Sequence, residues 1–486
     1  MEYNSDEHEV LPDMPVSPGG HYFNSSVLSV CIVAVLESEV PLDDLPAMAL
    51  LKDVFLPINP RFSSIMVEDK KGVKKWKKVE VKLEDHINVP TIPTGMSLEF
   101  YDDYFNDYLS KVSLDRLPQN KPLWEVHLLK YPTSNAAGNI VFKLHHALGD
   151  GYSLMGALLS CLQRADNPSL PLTFPSRESS RRRDERNNGI FWRSGHIFSG
   201  VGNTVSDFGS TFIKSNFIKD GRTPIRSGED GVEFRPSVIT TSIFSLDRIK
   251  QIKAKLGVTI NDVIMGVIFL GTRLYMQQSS STNDNDHLQQ GNPNADATAL
   301  VALNTRAIGG GYKTIEEMVK PNSQMPWGNH ITFLHISIPK LTCDNQVDSN
   351  PLRFVKEAHL MIKRKRNSAG VYLAGWMLEI LRKFRGPEAA ARYFYNTIKN
   401  SSIGMSNLIG PVEQMALANH PIKGLYFTFV GIPQSLGITI ISYVDKLRIT
   451  IRMEKGFMDP QKFKSCIENA SEMIFTAAVQ NTPPSN

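Results

Sequence analysis

The stretch Asn139 to Leu162, NIVFKLHHALGDGYSLMGALLSCL, decides how this chain folds. Its first six residues form a short apolar run of strand length, and Tyr152 to Leu162 carry the apolar spacing of a helix packed on a core. Between them lies His145-His146-Ala147-Leu148-Gly149-Asp150-Gly151. The motif therefore occupies a strand-to-helix loop, a place from which a rigid scaffold can aim an imidazole while a carboxylate and a glycine fix the turn. Of the twelve histidines, His146 alone has an aspartate four positions on. The histidine pair is thus the candidate for proton transfer, with Asp150 and Gly151 holding shape; the plainer alternative is two loop histidines satisfying carbonyls and an Asp150 N-cap.

Working outward, the first half alternates elements in α/β fashion. A strand at Val27 to Leu36 precedes a helical Leu45 to Phe55, strands near Ile65 and Val79, a helical Tyr104 to Val112 and a strand from Trp124 to Leu129. Composition turns to Pro, Ser and Arg between Asn167 and Arg186, which marks a surface linker. The expected organisation is an N-terminal domain over 1–175, a linker over 176–236 and a C-terminal domain over 237–486. The second set comprises a strand at Ile239 to Ser245, helices at Asp247 to Lys255 and Asn261 to Tyr275, strands at Ala299 to Asn304 and Ile331 to Ile338, long helices across Pro351 to Ile398, strands around Leu425 to Arg452 and a last helix from Asp459 to Ala478. Gln277 to Thr298 is too polar to bury itself and reads as a disordered surface loop. No repeat of twenty to fifty residues is visible.

Composition narrows the function. The length suits two to three domains, and a formal net charge of +4 does not point to nucleic acid as the main partner. The cations are clustered, in Lys70 to Lys78, Arg181 to Arg186 and Lys363 to Arg366, where they suit either anionic lipid and phosphate or plain solvation. Cys31, Cys161, Cys343 and Cys466 form no pair or cluster with zinc spacing, so neither a metal site nor a disulfide framework is expected. Met1 to Val10 is acidic and polar, unlike a secretory signal, which sets the reducing cytosol as the expectation. Val27 to Leu36 is half the length of a bilayer span, and Pro433-Gln434-Ser435 divides the uncharged Gly424 to Val444 into two strands joined by a turn. No G-x-S-x-G elbow is present, which disfavours a covalent acyl-serine route.

Four motifs, in order, carry a family resemblance: Pro122-Leu123-Trp124-Glu125, the double histidine, Asn261-Asp262 and Asn407-Leu408-Ile409-Gly410-Pro411. Together with Leu303-Asn304-Thr305-Arg306 and Trp327-Gly328-Asn329, they make the chain resemble the plant wax ester synthase/diacylglycerol acyltransferase family from about Pro12 to about Phe475. The resemblance implies a mixed α+β fold of two chloramphenicol acetyltransferase-like domains flanking a channel, related also to condensation domains. It implies an enzyme that moves a long-chain acyl group from acyl-CoA, a co-substrate rather than a resident cofactor, to a fatty alcohol, with diacylglycerol as a second acceptor. Predominant diacylglycerol acylation and a non-catalytic lipid-binding member are the alternatives. The D-F-G-W-G motif of soluble plant acyltransferases is not matched, because Asp207-Phe208-Gly209 continues as Ser210-Thr211.

By the same resemblance His146 is the general base, and His145 either shapes the loop or supports the tetrahedral intermediate. Asp150 is expected to pair with an arginine, for which Arg306 is the candidate. Pro122, Leu123 and Trp124 are expected along an apolar substrate wall. Asn261 and Asp262 are either near the site or members of a capping box with Thr259, and Asn407 is either an oxyanion donor or the cap of its own turn. Apolar acceptors dissolve in bilayers, so peripheral association with the cytosolic face of the endoplasmic reticulum, and also the plasma membrane, is expected. The stripe Phe191 to Phe217, with Arg181-Arg182-Arg183 beside it, reads as the contact, or else as a helix packed at the domain junction.

Overall fold

The computed structural model describes residues 14–43, 48–70, 72–174, 219–280, 292, 294–307, 327–341, 350–366 and 370–480. Met1 to Val10, Arg181 to Arg186, the Phe191 to Phe217 stripe, Cys343 and most of Gln277 to Thr298 lie outside these residues. Gln277 to Ser280 belong to a helix and not to the expected loop.

Two sheets organise the chain. The seven-stranded sheet runs, in spatial order, Ile87–Asn88, Trp124–Leu129, Gly138–His145, Cys31–Ser38, His420–Val430, Met415–Leu417 and Leu162–Arg164. Its middle is buried on both faces: every residue of Cys31–Ser38 and of Gly138–His145 is buried, which is why these strands read as unbroken apolar runs. They pair antiparallel with Cys31 opposite His145, so the end of the histidine-bearing strand is fixed by the start of its neighbour. The six-stranded sheet runs Ile331–Ser337, Thr298–Asn304, Ile403–Ile409, Leu436–Tyr443, Lys446–Glu454 and Ser237–Ser245. Helices Ile260–Ser280, Leu352–Arg366 and Pro460–Phe475 bury one of its faces in a core that includes Phe269, Phe354 and Phe463.

The later part of the chain contributes strands to both sheets, in a way that chain order conceals. Leu425 to Val430 and Ile438 to Tyr443 are both extended, yet they do not pair as a hairpin. His420–Val430 joins Cys31–Ser38 in the first sheet, while Leu436–Tyr443 pairs with Ile403–Ile409 and Lys446–Glu454 in the second. A segment late in the sequence therefore completes the sheet begun by the first strand. The crossing is pinned by an ion pair between Glu37 and Arg448, 2.8 Å apart and both buried. Gly424 makes room for it, since a Cβ there would overlap the Glu37 carboxylate.

Among the described residues no single helix is long and apolar enough to cross a membrane. The consecutive pair Leu246–Leu256 and Ile260–Ser280 has the composition but is bent by 102°, and most of the second helix is buried in the core.

Candidate active site

The strand Gly138–His145 ends where its last two amides are taken by neighbouring backbone: His145 N donates to Leu123 O at 3.0 Å and His146 N to Val30 O at 2.8 Å. The chain then turns, Leu148 N reaching His145 O, and enters the helix Gly151–Ser160 through Asp150. Asp150 is the N-cap: its Oδ1 accepts from Ser153 N at 3.0 Å, satisfying one of the orphan amides of the first turn. This local chemistry places both histidines on the loop side of the sheet.

Their hydrogen bonds separate them. His145 is 0 % exposed, and its Nδ1 accepts from Ala147 N at 3.1 Å, which puts the ring proton on Nε2, 3.2 Å from Ser29 Oγ. Both of its nitrogens are occupied. Burial, first, and the neighbouring His146 push its pKa down to about 3, so the ring is a neutral structural piece. His146 is 8 % exposed, and its Nδ1 lies 2.8 Å from Asn329 Oδ1 while Asn329 Nδ2 donates to His146 O at 2.9 Å. With Oδ1 accepting, Nδ1 carries the proton and Nε2 keeps its lone pair. Nε2 makes no hydrogen bond among the described residues. The Phe23 ring lies 4.1 Å from the imidazole, centroid to centroid, and restricts its tilt. Burial lowers the His146 pKa, opposed by the charge of Asp150 and by the bond to Asn329. Such a ring is an unprotonated base at neutral pH with one nitrogen held and one free.

Asp150 does not face the imidazole. Its Oδ2 is 2.6 Å from Arg306 Nη1 and accepts from His330 N at 2.8 Å, with Asp150 0 % and Arg306 3 % exposed at the side chain. Arg306 Nη2 continues to Ser153 Oγ at 3.1 Å and Gly328 O at 2.9 Å. The carboxylate thus ties the helix start to two segments of the second half, Thr305–Ala307 and 327–330. Trp327 Nε1 and Arg61 Nη1 both donate to Leu148 O, at 2.7 and 2.9 Å. Gly328, at φ 130°, adopts a conformation that favours glycine and exposes its carbonyl to this network. Gly19 allows the short helix Pro18–Phe23, which carries Phe23, to lie against Asn329, where a Cβ would come within 2.5 Å of Asn329 Cβ. Gly151 faces Leu408 across the junction of the halves.

The remaining expected residues fall into different places. Pro122 and Leu123 lead into the strand Trp124–Leu129; Leu123 and Trp124 are 0 % and 1 % exposed, and the indole N–H donates to Phe62 O while its face stacks on His86. Both side chains pack in the core beside the histidine-bearing strand. Asp262 and Thr259 form the capping box, Asp262 Oδ2 accepting from Thr259 N at 2.9 Å and Thr259 Oγ1 from Asp262 N at 3.2 Å. Asp262 Oδ2 also lies 2.8 Å from His359 Nδ1. Asn407 is on the strand Ile403–Ile409 and not in a turn. Strand alternation sets Leu408 toward Gly151 and Asn407 on the opposite face, where its Nδ2 donates to Asn261 Oδ1 at 3.1 Å. The structure thus brings Asn407 together with Asn261, two residues expected near the site.

Sequence reasoning missed Phe23 and Ser29 altogether and gave Asn329 no role beyond membership of a motif. Among the described residues no group of His, Cys, Asp and Glu could hold a metal. A cavity of about 400 Å³ opens near Asp220, His335, Lys340 and Glu357, and none of the residues around His146 lines it.

Comparison with known proteins bears on the family and the fold. The chain is 30% identical over 494 residues to wax ester synthase/diacylglycerol acyltransferase 4 of Arabidopsis thaliana, covering 98% of this chain and 92% of that one. The solved wax ester synthase/diacylglycerol acyltransferase from Marinobacter aquaeolei VT8 has the same fold, with a TM-score of 0.57 at 15% identity over 96% of this chain and all of that one. The first condensation domain of the CDA synthetase shares it at a TM-score of 0.50 and 12% identity, over 95% of this chain and 92% of that one. The wax ester synthase/diacylglycerol acyltransferase catalytic domain model matches residues 56–264 and the C-terminal domain model matches 327–475, so the chain belongs to the wax ester synthase/diacylglycerol acyltransferase family and is an acyl-CoA-dependent O-acyltransferase of mixed α+β, two-domain architecture.

Proposed function

We propose that the chain transfers a long-chain acyl group from acyl-CoA to a long-chain fatty alcohol, forming a wax ester, and acylates diacylglycerol to triacylglycerol as a second activity. The observation that carries this reading is the inequality of the two histidines: His146 Nδ1 is held by Asn329 while Nε2 is free among the described residues, and both His145 nitrogens are occupied. His146 Nε2 takes the acceptor's hydroxyl proton as the oxygen attacks the thioester carbonyl carbon. A new C–O bond forms and the carbonyl becomes an oxyanion. On collapse the C–S bond breaks, and the proton on Nε2 passes to the departing thiolate, so that ester and free thiol leave with the base restored. No covalent acyl-enzyme is involved. Asp150 and Arg306 neutralise each other away from the reacting atoms and hold the loop in place.

The relatives' names support both acceptors. An enzyme collecting apolar alcohols works at a membrane surface, and the proposal places this one on the cytosolic face of the endoplasmic reticulum. The test is product analysis with purified protein, palmitoyl-CoA and a panel of alcohols and diacylglycerol. Wax ester from hexadecanol, lost in His146→Ala, is the expected result. Triacylglycerol alone reverses the order of acceptors, and no ester from any acceptor overturns the reading.

A further inference from the structure

Three large apolar side chains stand out among the described residues as the most exposed: Phe384 at 83%, Trp376 at 65% and Leu360 at 64%. All three lie on two consecutive helices, Leu352–Arg366 and Gly370–Arg385. Exposure of one such residue is ordinary; clustering of the extreme cases on adjoining helices is not. Cations accompany them. Exposed Lys363 and Arg364 follow Leu360 by three and four residues, hence on its face of the helix, and the last turn of the second helix holds Arg382, Lys383 and Arg385. Glu379 offsets part of this charge by pairing with Arg382 at 2.7 Å and with Lys383 at 4.0 Å, one carboxylate against three cations, which leaves the segment cationic.

The second helix has two distinct faces. Leu378 and Leu381 pack inward on Tyr22, Ala390 and Ala391, with Phe394 beside them. Helical spacing puts Trp376 and Lys383 on the opposite side, with the exposed Phe384 at its edge. An amphipathic helix whose outer face joins large apolar groups to lysine and arginine matches a bilayer interface carrying anionic lipid. A lipid surface suits this face better than a protein partner, because it combines highly exposed apolar side chains with cations. The inner face leads to the site. Phe394 stacks on Tyr22 at 5.5 Å and meets Phe23 edge-on at 5.4 Å, and Phe23 lies on His146.

We propose that the helix Gly370–Arg385, through Trp376 and Phe384 flanked by Lys383 and Arg385, docks this protein on an anionic phospholipid surface. The docking deepens the proposed use of bilayer-borne acceptors and rests on that reading only for its purpose; binding itself is measured without turnover. The full chain is floated with phosphatidylcholine vesicles containing or lacking phosphatidylserine. Trp376→Ser with Phe384→Ser is expected to lower partitioning at least about tenfold, given the apolar area withdrawn from the lipid. Lys383→Glu with Arg385→Glu is expected to remove most of the preference for phosphatidylserine, a loss of roughly fivefold or more per cation. Brominated acyl chains should quench tryptophan fluorescence in the wild type and not in Trp376→Phe. That conservative variant and the charge variant keep the test decisive if the double serine variant fails to fold.

Unchanged flotation of a folded Trp376→Ser, Phe384→Ser protein overturns the proposal, as does full quenching in Trp376→Phe. A short, water-soluble alcohol separates the two failures. Its turnover should survive in the docking variants, whereas its absence in the wild type counts against the acyltransfer reading and not against the docking helix.

Discussion

At the residue scale the two histidines of one motif differ in their hydrogen bonds, and the proposed mechanism gives them different jobs. A lost general base costs roughly 10²- to 10⁴-fold in rate, so His146→Ala should lower kcat by that order while the melting curve stays cooperative. His145→Asn should retain more activity than His146→Ala, because it removes a loop support and leaves the base; equal kcat losses would show that the assignment is wrong. The pH profile checks the same point. Burial holds the His146 pKa below its ordinary 6.5, so the neutral, active form persists to lower pH and the acid limb of kcat/KM should fall below 6.5. Asn329 tunes that limb. In Asn329→Asp the acceptor opposite Nδ1–H becomes an anion, which stabilises the imidazolium and raises the His146 pKa, so the acid limb should move to higher pH. Asn329→Leu should lower kcat with little change in KM, since it frees the ring to rotate without touching substrate; a pH limb that is unmoved in Asn329→Asp would remove Asn329 from this role.

At the element scale the loop-to-helix turn is held from across the molecule. Deleting one partner of a buried ion pair leaves the other charge uncompensated and typically costs 3–5 kcal/mol. Asp150→Ala is therefore expected to destabilise by about that much, since Arg306 loses the Asp150 carboxylate, the helix Gly151–Ser160 loses its cap and His330 N loses its acceptor. Asp150→Asn keeps a capping oxygen and should be milder in denaturant melts. These elements also show what a sequence can and cannot say. Gly138–His145 and the helix after it are legible because strand run, turn and cap are all local. Asn407 reads as a turn residue because Gly410-Pro411 is a strong local signal, but the parallel partner of its strand lies in Leu436–Tyr443 and leaves no local mark. Likewise Asn329 and His146 are 183 residues apart, so no spacing rule could join them.

At the scale of the whole molecule the two sheets are fastened by Glu37 and Arg448. Arg448→Met is expected to destabilise the protein by roughly 3–5 kcal/mol, because the Glu37 carboxylate remains buried without its partner. Adding Glu37→Gln should recover much of that loss, and a double variant no more stable than the single one would mean that packing, not charge, fastens the crossing. The strand exchange was the least legible part of the fold. Apolar runs at Leu425 to Val430 and Ile438 to Tyr443 announce two strands, and the turn between them favours a hairpin, yet a run buried on both faces carries no label for its partner. The family resemblance gave the two-domain architecture; it did not say which strands would be traded.

The trade has a consequence for how the protein comes into being. During synthesis, Cys31–Ser38 can pair with Gly138–His145 early, but its other edge stays open until His420–Val430 has been made. At the usual elongation rates of about 5–20 residues per second, that interval lasts on the order of tens of seconds. Throughout it an apolar strand edge is on offer to any passing extended segment, which is the ordinary route to aggregation. The nascent first half is thus a natural client for chaperones, and a fragment ending at the linker should be insoluble even though it contains the whole histidine motif.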